Sequence, residues 1–154
     1  MDDKFASLYL DKQLCFPLYA ASRLTTKLYG PYLDKLDITY PQYLVMLVLW
    51  QHNSQTVNKI GQRLMLESNT LTPLLKRLEA KGLLSRKRAE IDERTVIVAL
   101  TKKGDDLKAA AASIPEQIFS SFQDESVSIA EITIFKDMLE KLINSLDEKV
   151  NKAK

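Results

Sequence analysis

VNKIGQRLMLESNTLTPLLKRLEAKGLLSRKRAEIDERTVIVALT, residues Val57 to Thr101, decides the fold. It opens with Val57, Ile60 and Leu64 at helical spacing. The polar break Glu67-Ser68-Asn69-Thr70 then supplies residues that cap helix starts, because their side-chain oxygens accept orphan backbone N–H groups. Leu71, Leu74, Leu75 and Leu78 form the apolar stripe of a second helix. Pro73 fits that helix if the helix starts close by, where a missing donor costs little. Gly82 suits the left-handed residue that closes a helix C-terminus. Two short helices joined by a polar turn predict a helix-turn-helix. Beyond it, Leu84–Arg88 and Thr95–Leu100 are β-prone runs flanking a tip at Ala89–Arg94, which predicts a hairpin wing.

The face opposite the leucine stripe carries Ser68, Asn69, Thr70, Thr72, Pro73, Lys76 and Arg77. Small hydroxyls and an amide near a helix start, followed by cations, suit an element lodged in a major groove between phosphates. The wing adds Arg86, Lys87 and Arg94, with Asp92 placed to orient Arg94 through a charge-assisted hydrogen bond. From Lys76 to Lys103 nine basic residues stand against four acidic ones, a net +5. The whole chain carries 22 against 20, so the remainder sums to −3. Positive charge gathered on the expected reading surface is the footprint of a DNA contact.

The run SNTLTPLLKRLEAKGLLSRKRAEIDER resembles the winged helix of the multiple-antibiotic-resistance-regulator (MarR) family. The resemblance implies a mainly α fold with a small β-hairpin wing (α+β): a winged helix-turn-helix with N- and C-terminal dimerisation helices. Residues 39–113 are then the DNA-binding part, and about 8–36 and 114–150 the dimerisation helices of a single MarR-type domain.

Elsewhere the chain reads as helix. A length of 154 residues suffices for one domain with its own core. Only four glycines and five prolines punctuate it. Pro17 places the first regular helix start near Cys15, since proline is tolerated only in a first turn, and Gly30-Pro31 ends or kinks that helix. Thr39 caps the next helix with Pro41 just inside, and Tyr43–Trp50 make it almost wholly apolar. Thr101 caps a helix through Ala112, which Pro115 interrupts. From Ser128 onward, Ile132, Phe135, Leu139, Leu142 and Leu146 alternate three- and four-residue steps, the seam of helices packed side by side in a homodimer.

No run approaches the roughly 18 apolar residues of a membrane span, and MDDKFASLYL lacks the layout of a signal peptide. One cysteine excludes an internal disulfide and fits a reducing cytoplasm. With one histidine beside it, it is also too little for a zinc site. No cofactor is implied.

From spacing alone a lone cysteine reads as a small buried hydrophobe, whereas a thiol at Cys15 in a first turn faces unpaired N–H groups and the positive end of the helix macrodipole, which favour a reactive thiolate. Within the MarR family, LDKQLCFPLYAASR, ITYPQYLVMLVLW and the winged-helix run together resemble the organic-hydroperoxide-resistance repressors. That resemblance implies a peroxide sensor at Cys15, hydrogen-bonded by Tyr29 and Tyr40 of the partner subunit, with Tyr19 a further candidate. It implies a repressor, not an enzyme, that leaves a double-stranded, pseudo-palindromic operator when organic hydroperoxide oxidises Cys15. Without a second cysteine, the oxidised residue would pass to a mixed disulfide with a small thiol or to overoxidised acids. The alternative is the same fold responding to another oxidant or to a phenolic ligand.

Overall fold

In the computed structural model, which describes residues 4–122 and 127–152, the helices are α1 (Cys15–Leu33), α2 (Tyr40–Gln51), α3 (Val57–Leu64), α4 (Ser68–Ala80), α5 (Lys102–Ala111), α6 (Ile114–Ser121) and α7 (Ile129–Lys152). The strands are β1 (Gln55–Thr56), β2 (Leu84–Arg88) and β3 (Val96–Leu100). The chain divides into two compact units, Met1–Ile114 and Pro115–Lys154.

Local chemistry sets the helix ends in the first unit. Thr39 and Gln42 form a reciprocal capping box at the start of α2, with Pro41 in its first turn. Thr56 Oγ1 accepts the Lys59 N–H at the start of α3. That helix closes at Met65, whose φ is +53°, while the Leu66 N–H donates to the Gly61 carbonyl. A Cβ on Gly61 would lie 2.8 Å from the Leu66 oxygen, so this turn requires glycine. At the end of α4, Leu83 N–H bonds to Leu78 O and Gly82 N–H to Glu79 O. With Gly82 at φ +71°, this is a Schellman cap. Leu78 and Leu83, the pair that usually packs across such a cap, are both buried.

Apolar stripes meet inside this unit. Val45, Met46 and Leu49 of α2 are fully buried, as are Ile60 of α3 and Leu71, Leu75 and Leu78 of α4. Leu74, expected on the same stripe, is half-buried at its edge. The wing hairpin pairs Leu84 with Leu100 through to Arg88 with Val96. Unforeseen in the sequence, β1 adds a third antiparallel strand beside β3, with Gln55 opposite Val98.

Pro73 sits differently from expectation, and at Pro31 the helix continues instead of ending, one of the two courses left open there. Pro73 is the sixth residue of α4, beyond the first turn, and Pro31 lies inside α1, which runs on to Leu33. In each case the carbonyl deprived of a donor, on Asn69 or Lys27, belongs to an exposed residue that water can serve. Pro17 lies in the first turn of α1, and Pro115 near the start of α6.

In the second unit, α7 opens with a capping box in which Ser128 Oγ accepts the Glu131 N–H and the Glu131 carboxylate accepts the Ser128 N–H. Ile132, Leu139 and Leu142 are half-buried, and Phe135 and Leu146 are exposed. No helix among the described residues is long and apolar enough to cross a membrane.

Candidate nucleic-acid interface and sensor site

Helix α4 presents Ser68, Asn69, Thr70, Pro73, Lys76 and Arg77 to solvent, with Thr72 half-buried, because the leucines hold its opposite face in the core. Neither Lys76 nor Arg77 is paired with a carboxylate among the described residues. Beside α4, a cleft of about 320 Å³ is lined by Thr56, Asn58, Ser68, Thr72, Arg86 and Arg94. Along it the wing is tied to α4.

Arg86 provides that tie. Its Nη2 and Nε donate to Glu79 Oε2 at 2.6 and 3.0 Å, and its backbone N–H donates to Glu79 Oε1 at 3.0 Å. The guanidinium holds the Glu79 carboxyl below the usual carboxylate range. Arg86, expected from sequence as a contact to DNA, lines the cleft and has its guanidinium paired with Glu79, which joins β2 to α4. Lys87, Arg88 and Arg94 are exposed and unpaired among the described residues.

Asp92 organises the wing tip. Its Oδ1 accepts the Arg94 backbone N–H at 3.0 Å and its Oδ2 accepts the Thr95 hydroxyl at 2.8 Å. These two bonds, the Thr95 one larger, lower its carboxyl from the ordinary value. The expected bond from Asp92 to the Arg94 guanidinium is not made. The turn is fixed through the backbone, and the guanidinium stays available to an outside partner.

Cys15 is the first residue of α1 and is exposed. Tyr29 and Tyr40 pack with ring centroids 4.7 Å apart and planes tilted by 54°. Tyr43, buried, joins them at 5.8 Å from Tyr29 and 6.4 Å from Tyr40. Burial pushes the Tyr29 phenol up to about 12, with Tyr40 and Tyr43 adding to the rise, and burial also raises Tyr40. Both phenols therefore remain protonated donors at neutral pH. Fourteen residues of continuous α1 separate Cys15 from Tyr29, about 21 Å along the helix, so the two do not meet within one chain. Tyr19 stands apart, exposed beneath the Arg23 guanidinium at 5.5 Å.

The aromatic cluster extends further than the sequence reading. Trp50 packs edge-on against Tyr43 at 6.1 Å and its indole N–H donates to the Gly104 carbonyl at 2.9 Å. The available signal was spacing: Tyr40, Tyr43 and Trp50 stand at i, i+3 and i+10, within one face of α2.

Residues 27–111 match the family model described as transcriptional regulator SarA/Rot. The organic hydroperoxide resistance transcriptional regulator of Bacillus subtilis (strain 168) is 48% identical over 149 residues, covering 97% of this chain and 99% of that protein. AbfR of Staphylococcus epidermidis, reduced and bound to DNA, superposes with a TM-score of 0.78 at 39% identity, over 96% of this chain and 99% of that one. Overoxidised AbfR bound to DNA gives 0.73 at 40% identity, over 94% and 99%.

Proposed function

This chain belongs to the SarA/Rot family of transcriptional regulators, and from that premise we propose that it is a dimeric, cytoplasmic repressor released from its operator when organic hydroperoxide oxidises Cys15. The observation that carries the reading is an exposed thiol at a helix start in a chain whose winged helix presents unpaired cations. The likeness to AbfR, a protein captured on DNA in its reduced form, and to a regulator named for organic hydroperoxide resistance supports it.

On DNA, α4 enters the major groove, with Ser68, Asn69, Thr70, Thr72 and Pro73 facing base edges and Lys76 and Arg77 facing phosphates. Arg94, with Lys87 behind it, reaches the flanking backbone or minor groove. Two such units sit about 34–36 Å apart, one turn of a pseudo-palindromic site. The Cys15 thiolate takes an oxygen from the hydroperoxide: Cys–S⁻ and ROOH with one proton give Cys–SOH and ROH. A small thiol then condenses with the sulfenic acid, forming a mixed disulfide and releasing water. In the dimer, the partner's phenols at positions 29 and 40 donate to the thiolate and hold the reduced arrangement; oxidation removes that fit. Release follows from the difference in DNA affinity between the two states.

Operator release against cumene hydroperoxide, for wild type and Cys15→Ser at one salt concentration, tests the reading. The serine variant keeps size and hydrogen bonding but cannot form a sulfenic acid, so it stays bound at doses that free the wild type. Sulfoxide formation at Met46 or Met138 would not distinguish the two proteins. Release of Cys15→Ser at the wild-type dose defeats the thiol switch.

A further inference from the structure

Resting on the oxidation-released repressor described above, the geometry points to Trp50 as the positioning residue that carries the state of the tyrosine cluster to the junction between α4 and the wing. Helix α2 has the cluster at one end and Trp50 at the other. Tyr40 is its first residue, and Trp50 lies about 15 Å further along at roughly 1.5 Å per residue. Between them Tyr43 is buried and touches Tyr29, Tyr40 and Trp50. A shift of the phenols therefore presses on packed rings and a rigid helix.

At the far end the contact is directional. The indole N–H donates to Gly104 O at 2.9 Å, and the Trp50 carbonyl accepts from Lys108 Nζ at 3.1 Å, so α2 grips α5 twice. Gly104 is in turn pressed on the start of the wing, where a Cβ would come within 1.9 Å of the Leu83 oxygen. The same Leu83 oxygen accepts the Thr101 N–H, and Thr101 Oγ1 donates to Gly82 O at 2.6 Å. Gly82 and Leu83 form the cap where α4 passes into β2. From phenol to wing the steps are packed rings, a helix, hydrogen bonds and the close backbone approach of Gly104 to Leu83, and they end on the Gly82–Leu83 turn itself.

The test uses the full chain and separates sensing from response. In Trp50→Phe the ring stays and the donor is lost. In Trp50→His the imidazole carries an Nε2–H at the position of the indole Nε1–H. Cys15 oxidation is followed by mass spectrometry under cumene hydroperoxide, and operator affinity is measured for the reduced and fully oxidised forms. Trp50→Phe should oxidise at the wild-type rate, but its ratio of oxidised to reduced Kd should fall by about tenfold, within the usual span of allosteric coupling. Trp50→His should recover most of the ratio. A Trp50→Phe ratio equal to wild type overturns the relay, and slower Cys15 oxidation also overturns it by placing Trp50 in the sensor pocket. Should these variants fail to fold, the wild type decides the matter, because Trp50 is its sole tryptophan. Its emission should shift on oxidation and hold steady in Cys15→Ser; emission indifferent to oxidation defeats the inference. A wild type that stays on DNA with Cys15 fully oxidised refutes the repressor reading itself, and the relay with it.

Discussion

Gly104 has no room for a methyl group: the nearest obstacle is the backbone of Leu83, which cannot swing aside as a side chain does. Gly104→Ala should therefore cost about 1–3 kcal/mol or more through overpacking, read as a lower denaturant midpoint with an unchanged slope. Tyr29 and Tyr40 invite a subtler change. Each Phe variant keeps the packed ring and loses the donor, and a hydrogen bond to a charged group is worth about 1.5–3 kcal/mol. Alkylation and oxidation of Cys15 should slow by roughly tenfold in either variant, with reduced-state operator affinity little altered; unchanged rates in both would remove the phenols from the mechanism. At this scale Cys15 was legible because its neighbours in sequence, above all Pro17, set its place in a helix start. Trp50 and Glu79 were not. Their partners, Gly104 and Arg86, stand 54 and 7 residues away, and no periodicity announces a hydrogen bond between different elements.

Helix α4 and the wing behave as one element because Glu79 and Arg86 join them. A glutamate whose folded value is depressed adds stability above its ordinary value of 4.5, and that stability is lost as pH falls through the lower folded value. Glu79 is about a third exposed, so screening limits the pair to about 1 kcal/mol or less. Glu79→Gln should lower stability near neutrality by that amount, and the gap to wild type should close as the pH falls below the ordinary glutamate value and on through the lower folded one. A gap that persists in acid would mean the clamp is not ionic. Arg94→Ala, by contrast, should leave stability intact and weaken operator binding, because its guanidinium has no internal partner among the described residues; wild-type affinity in an operator-shift assay would overturn the wing assignment. The helix-turn-helix and hairpin were readable from leucine spacing, polar caps and β-prone runs. The two-residue strand β1 is too short to show a pattern. The place of Pro73 was not readable, because spacing weighs proline as a residue of the first turn, whereas at an exposed carbonyl water fills the missing bond.

The net +5 between Lys76 and Lys103, against −3 elsewhere, makes DNA affinity a matter of released counterions. Operator binding should fall steeply and linearly on a log–log plot against salt, by about 0.9 per phosphate neutralised; a flat plot would exclude the cationic surface. Each unit also leaves apolar side chains in water. Leu14 and Leu24 of the first are 76% and 61% exposed, and Ile134 and Met138 of the second 60% and 62%. Such surfaces seldom stay uncovered, so light scattering at micromolar concentration should report a dimer rather than the 17.5 kDa chain.

Alone in 154 residues, Cys15 would make each chain a one-shot register. It records one hydroperoxide, a two-electron oxidation, and holds no second thiol with which to erase it. Under the proposed reading, the fraction of operators vacated then measures accumulated dose and not the momentary peroxide level. The time to re-silence the operator would be dictated from outside, by whichever reductant reaches an exposed helix start.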